Sequence, residues 1–268
     1  MKKTFTLVAV LAAGLLASRA DAHFQLIHTP EVNPSKPGDL PLGLIFWHPF
    51  ENGHAMDMGP LLDLYAVHRG KKIDLKDSLE PMTFQGASNT AQAFRASLPV
   101  RRAGDYVLVA VPSPYLEPSE DIYIQQITKA YVNLSELPTD WMETQGLKTE
   151  IRPLNKPTNI LAGSTFTGQV LSEGKPVPGA EIEVEFMAAE PQAGEDKAGI
   201  PVAAPPPGGS VVALTDDQGY FTFGIPTAGF WGFAALGTGP DKEYEGKELS
   251  QDAVLWIRAH DITNTTAE

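Results

Sequence analysis

The sequence predicts an all-β fold: two tandem β-sandwich (immunoglobulin-like) domains that follow a cleaved signal peptide. Three observations carry this prediction. Apolar runs of about four to eight residues, rich in Val, Ile, Phe and Tyr, recur along the chain with turn residues between them. Gly (24) and Pro (23) punctuate all 268 residues at short intervals. No long stretch carries a helical period.

The elements follow in order. Lys2 and Lys3, the apolar run from Phe5 to Ala17 and the small-residue site Ala20-Asp21-Ala22 read as a secretory signal over 1–22. The short basic start points to a bacterium and to the periplasm. Cleavage after Ala22 makes His23 the first residue. The first sandwich, 23–156, holds the runs Leu40–Trp47, Leu61–His68, Tyr106–Pro112 and Ile122–Leu134. The pattern breaks near Pro153–Gly163, where Asn155, Lys156, Pro157 and Asn159 interrupt it. The second sandwich, 157–262, holds Thr165–Leu171, Ala180–Met187, Val211–Thr215, Tyr220–Ile225, Phe230–Leu236 and Ala253–Arg258.

The halves share a local feature. Ala103-Gly104-Asp105-Tyr106 and Ala228-Gly229-Phe230-Trp231 each precede or open an apolar run. Gly permits a tight bend and the ring plugs the end of a core. Pro191–Gly209, with Pro205 to Pro207 inside it, reads as a long exposed loop and a tolerated surface insertion. The polar residues 263–268 read as a disordered tail.

Charge narrows the function classes. The formal net charge is −13; loss of Lys2, Lys3 and Arg19 against Asp21 leaves the mature chain at about −15. Such a surface repels nucleic acid and anionic lipid headgroups and attracts cations. No second apolar run approaches the roughly 18 residues of a membrane span. Cysteine is absent. That excludes disulfides, a cysteine nucleophile and a lipid anchor on a first cysteine, and leaves His, Asp, Glu, Met, backbone groups and the terminal amine as metal donors. No G-x-S-x-G or H-E-x-x-H is present, and the chain reads as a binding protein rather than an enzyme.

An N-terminal histidine joins an α-amine to an imidazole, with reference pKa values of about 7.7–8.0 and 6.5. Both become neutral donors near neutral pH. The stretch from His48 to Met58 adds His48, His54, Met56 and Met58 on a Gly- and Pro-marked loop. Imidazole suits Ni, Cu, Zn and Fe, while thioethers lean toward Cu(I). Taken alone, Met56 and Met58 read better as core fillers than as ligands. Of the other histidines, His28 lines the first strand, His68 falls at a hairpin turn and His260 faces solvent. Glu117, Glu120 and Asp121 read as a solvated acidic loop.

The signal ending in Ala-His, the run HPFENGHAMDMGP from His48 to Pro60, and three segments of the second half resemble the DUF4198 family. Those segments are Phe166–Val184 with its GKPVPGA, Thr215–Phe223 (TDDQGYFTF) and Ala228–Trp231. They are also similar to a carboxypeptidase regulatory-like β-sandwich, with TDDQGYFTF as an Asp/Gly hairpin. The resemblance implies a NikK-like periplasmic component of nickel or cobalt uptake. It would bind Ni2+ or Co2+ at His23, His48 and His54, with Met56 and Met58 secondary, and pass the ion to inner-membrane transporter components. A CopC-like copper carrier and a structural module without metal remain open alternatives.

Overall fold

The computed structural model describes residues 23–192, 194–207 and 210–262. The expected signal peptide at 1–22 and the expected disordered tail at 263–268 lie outside the described residues.

The first half carries β1 (Phe24–His28), β2 (Gly38–Trp47), β3 (Ala55–Met56), β4 (Leu61–His68), β5 (Lys71–Asp74), β6 (Glu80–Gln85), β7 (Thr90–Val100), β8 (Gly104–Pro112), β9 (Tyr115–Glu117) and β10 (Ile122–Leu134). The second half carries β11 (Thr149–Pro153), β12 (Ile160–Leu161), β13 (Thr165–Ser172), β14 (Lys175–Pro176), β15 (Glu181–Phe186), β16 (Val211–Leu214), β17 (Tyr220–Gly224), β18 (Gly229–Ala235), β19 (Glu243–Tyr244) and β20 (Lys247–His260).

These strands form three layers. One outer sheet runs β1-β2-β7-β6, with β3 on β2. The middle sheet runs β16-β15-β18-β20-β10-β8-β4-β5, with β9, β12 and β19 at its margins. The other outer sheet runs β11-β13-β14, with β17 on β13. The two sandwiches therefore share their middle layer. Its seam is the parallel pairing of β10 with β20, from Tyr123↔Leu249 to Lys129↔Leu255.

Burial explains why the central strands read as continuous apolar runs. Side chains alternate across a strand. On β20, Val254 and Trp256 enter the first core while Ala253, Leu255 and Ile257 enter the second. On β8, Leu108 and Ala110 face the first core and Val107 the second. A strand buried on both faces needs apolar residues at every position, as in parallel sheets.

The repeated Ala-Gly-aromatic corner is real in geometry. Gly104 and Gly229 have φ of +130° and +135°, and each opens a strand. Two residues on, Tyr106 Oη donates to Arg102 O and Trp231 Nε1 donates to Thr227 O, both at 3.0 Å and both four residues back. The TDDQGYFTF segment differs from the expected hairpin. β16 pairs with β15 in the middle sheet and β17 with β13 in the outer one, so the Asp216–Gly219 turn passes between layers.

Part of the Pro191–Gly209 insertion also departs from a free surface loop. Gln85 N donates to Asp196 O at 2.8 Å and Ala198 N to Gln85 O at 2.9 Å, adding a short parallel bridge to the β6 edge. Arg95 and Asp196 form an ion pair there. Glu190 joins His28 Nε2 (3.3 Å) to Arg258 Nη1 (3.1 Å). An exposed sheet edge invites association with other chains, and this strap covers it.

Candidate functional site

The start of β1 is an edge of its sheet, and side chains of the middle layer satisfy it. Gln126 Nε2 donates to His23 O at 2.6 Å, while Gln126 Oε1 accepts from Gln25 N at 2.7 Å. Trp256 Nε1 donates to Gln25 O at 2.9 Å. One glutamine side chain thus stands in for a strand partner and fixes where His23 sits.

The loop after β2 is closed by its own bonds. Gly53 N donates to His48 O at 3.1 Å and Trp47 Nε1 to Gly53 O at 3.0 Å, which brings His54 back beside His48. The loop is also tethered from outside. Glu185 accepts from Phe50 N at 2.7 Å, Ala189 N donates to Pro49 O, and Asn89 brackets Ala55 through both its N and its O. The Gly- and Pro-marked loop is therefore braced at both ends and from outside.

The three expected imidazoles meet. The His23 ring lies 4.5 Å from His48 and 5.7 Å from His54, centroid to centroid. His23 and His48 are buried and His54 is exposed. Tyr115 and Phe46 complete the ring cluster. His23 Nε2 is 3.8 Å from Glu117 Oε2. The rings pack on one another rather than converge. Among the described residues no group of three or more His, Asp or Glu stands ready to hold an ion as placed. Coordination would require the rings to turn about their side-chain torsions.

The thioethers are placed apart from this role. Met56 and Met58 are buried in the first core, and Met58 Sδ accepts from Gln25 Nε2 at 3.4 Å. The remaining histidines are structural. His28 packs edge-on against Phe230 beside Glu190. His68 is stacked on Tyr106 at 4.1 Å and donates Nδ1–H to Asp105 O. His260 was expected to face solvent; it is half-buried, with Nε2 2.8 Å from Thr158 O.

Glu117 is the residue the sequence reading placed wrongly. It is 8 % exposed, on β9, and turned toward His23. Burial pushes its carboxyl up, but hydrogen bonds from Ser119 Oγ and N, then His23 and His54, outweigh this and hold it below the usual value. The signal that could have found it is Ser119: a Glu-x-Ser step lets the hydroxyl and amide cap one carboxylate oxygen, at 2.7 and 3.0 Å. Behind the rings lies a cavity of about 460 Å3, bordered by His23, His54 and Glu117 at one side and by Glu183 and Asp252 at another. Burial pushes Glu183 up to about 7, with Glu181, Asp252 and Glu120 adding to it against a hydrogen bond from Ser210. Burial raises Asp252 as well. The Tyr115 hydroxyl is raised by burial and by Glu117 and Asp57.

A family model described as a domain of unknown function, DUF4198, matches residues 20–239. No curated protein matches the chain. Among solved structures, the D00-D0 domain of intimin is similar at 12 % identity and a TM-score of 0.21, over 90 % of this chain and 100 % of that one. A titin A168–A169 structure is similar at 11 % and 0.21, over 90 % and 99 %. The N-terminal eight Ig domains of Down syndrome cell adhesion molecule are similar at 12 % and 0.22, over 90 % and 28 %. Likeness at such TM-scores carries no argument about this chain. No helix among the described residues is long and apolar enough to cross a membrane.

Proposed function

The chain belongs to the DUF4198 family, and on that premise we propose that it is a periplasmic protein that captures a divalent transition metal, nickel or cobalt, and delivers it to an inner-membrane importer. The single observation that carries this reading is the meeting of His23, His48 and His54, 25 and 31 residues apart from the first, around Glu117. Nitrogen donors with one carboxylate suit borderline divalent ions. Removal of the signal peptide would add the His23 α-amine as a fourth nitrogen. The acidic chain, at −13 before processing, raises the local concentration of cations.

Each part has a stated role. Gln126 holds the His23 backbone, Glu185 and Asn89 hold the His48–His54 loop, and Ser119 keeps Glu117 ionised. The copper alternative draws less support, because the soft sulfurs of Met56 and Met58 are engaged in the core. The carboxypeptidase regulatory-like reading of the second sandwich rests on its sequence resemblance; the turn in which Asp216 Oδ1 accepts from Gln218 N and Tyr220 N supports it, while the passage of that turn between layers does not. The test is calorimetry with Ni2+ and Co2+ on the protein beginning at His23, beside His23→Ala and His48→Ala. The reading expects tight binding that either substitution weakens. Wild-type affinity in both variants would overturn it.

A further inference from the structure

The cavity behind the imidazoles has its own chemistry. At about 460 Å3 it falls in the range of small-molecule sites, roughly 300–1,000 Å3. Its walls are of two kinds. Ile122, Ile124 and Leu236 supply aliphatic surface, and Glu120, Glu183 and Asp252 supply carboxyls. No Lys or Arg lines it among the described residues. Glu183 and Asp252 are 5 % and 1 % exposed.

Two carboxyls facing a cavity without a lining cation are costly in their charged form. The raised values of Glu183 and Asp252 express that cost. A bare metal ion fits the arrangement poorly. Asp252 is pinned by Gly237 N (2.8 Å) and Ser250 Oγ (2.6 Å), with Gln126 Nε2 at 3.4 Å, so it does not swing to share an ion with Glu183. An alkylammonium answers both walls: its three N–H donors reach the two carboxyls at hydrogen-bond rather than coordination distance, so Asp252 need not swing, and its hydrocarbon meets the aliphatic surface.

We propose that this cavity is a binding site for a small aliphatic diammonium compound, one ammonium held by Glu183 and Asp252, the hydrocarbon lying on Ile122, Ile124 and Leu236, and the second ammonium set at Glu120. The site adjoins the imidazole cluster but needs no metal.

The experiment titrates putrescine into the metal-free protein by calorimetry at pH 8. Butane-1,4-diol and succinate serve as neutral and anionic compounds of matching length. Putrescine is expected to bind and the other two to give no heat. Glu183→Gln should weaken putrescine at least tenfold with an unchanged circular dichroism spectrum. Leu236→Lys, which sets a tethered ammonium in the cavity, should abolish binding, and it decides the matter if the first variant does not fold. No heat from putrescine with folded wild-type protein overturns the proposal. So does equal binding of the diol, or undiminished putrescine binding in the folded variants. Metal is absent throughout, so the result stands apart from the metal reading.

Discussion

Gln126→Leu is the most informative single change, because it leaves the candidate ligands in place and removes what positions one of them. The substitution keeps the approximate volume but deletes the bond to His23 O at 2.6 Å and that from Gln25 N at 2.7 Å. Each orphaned buried backbone group costs about 1–3 kcal/mol. Gln25 is 2 % exposed and bears its full cost, whereas His23 borders the cavity and can recover a water. The sum is about 2–4 kcal/mol, which corresponds to a melting temperature lower by roughly 5–15 °C for a chain of this size. Nickel affinity should fall roughly 10–100-fold, the range measured when a ligand loses its outer partner. Gln126→Glu separates the two bonds: it still accepts from Gln25 N but cannot donate to His23 O. It should lose affinity in the same sense as Gln126→Leu. Thermal melts and calorimetry on the same preparations read both effects. Unchanged melting and unchanged affinity in Gln126→Leu would refute the reasoning.

Other expectations follow from single residues. His54→Ala removes an exposed ring and should shift stability by no more than about 0.5 kcal/mol while weakening nickel binding at least tenfold; a melt and a titration check this. The folded-state pKa of Glu183, about 7, lies above its ordinary 4.5, so the folded protein holds more protons than the unfolded chain between those values. Stability should therefore fall as pH rises from about 4.5 to 7, by up to about 3 kcal/mol, and Glu183→Gln should flatten that part of a urea-denaturation pH series. Gly229→Ala places a Cβ 2.7 Å from Phe186 Cε2 at a φ of +135°, and denaturant melts should show a loss of about 2–5 kcal/mol from strain plus overpacking.

The fold was legible where local pattern decides it. The runs Leu61–His68 and Ile122–Leu134 are strands over those very residues. Thr90–Val100 was not legible because half of its buried positions, Ala91, Ala93 and Ala96, are Ala, which carries little strand signal. The shared middle layer was not legible. Pairing of β10 with β20 joins residues about 126 apart, and nothing in either segment names its partner. The double-sided burial left a trace in YVLVAVP and VLWI, yet a continuous apolar run does not say what covers each face. At the candidate site, the His23, His48 and His54 grouping followed from composition and loop chemistry. Gln126 could not be found, since nothing in the sequence sets it apart from its neighbour Gln125 or from any buried amide in an apolar strand. Glu117 was hidden among exposed neighbours, of which Asp121 does pair at the surface with Lys247.

The most direct measurement is nickel and cobalt calorimetry on protein that begins at His23, beside protein carrying one added residue ahead of it. The account predicts tight uptake by the first and a marked loss in the second, with both weakening below about pH 6 as imidazole and amine take up protons. Equal affinity in the two forms, or no uptake by either, would contradict it.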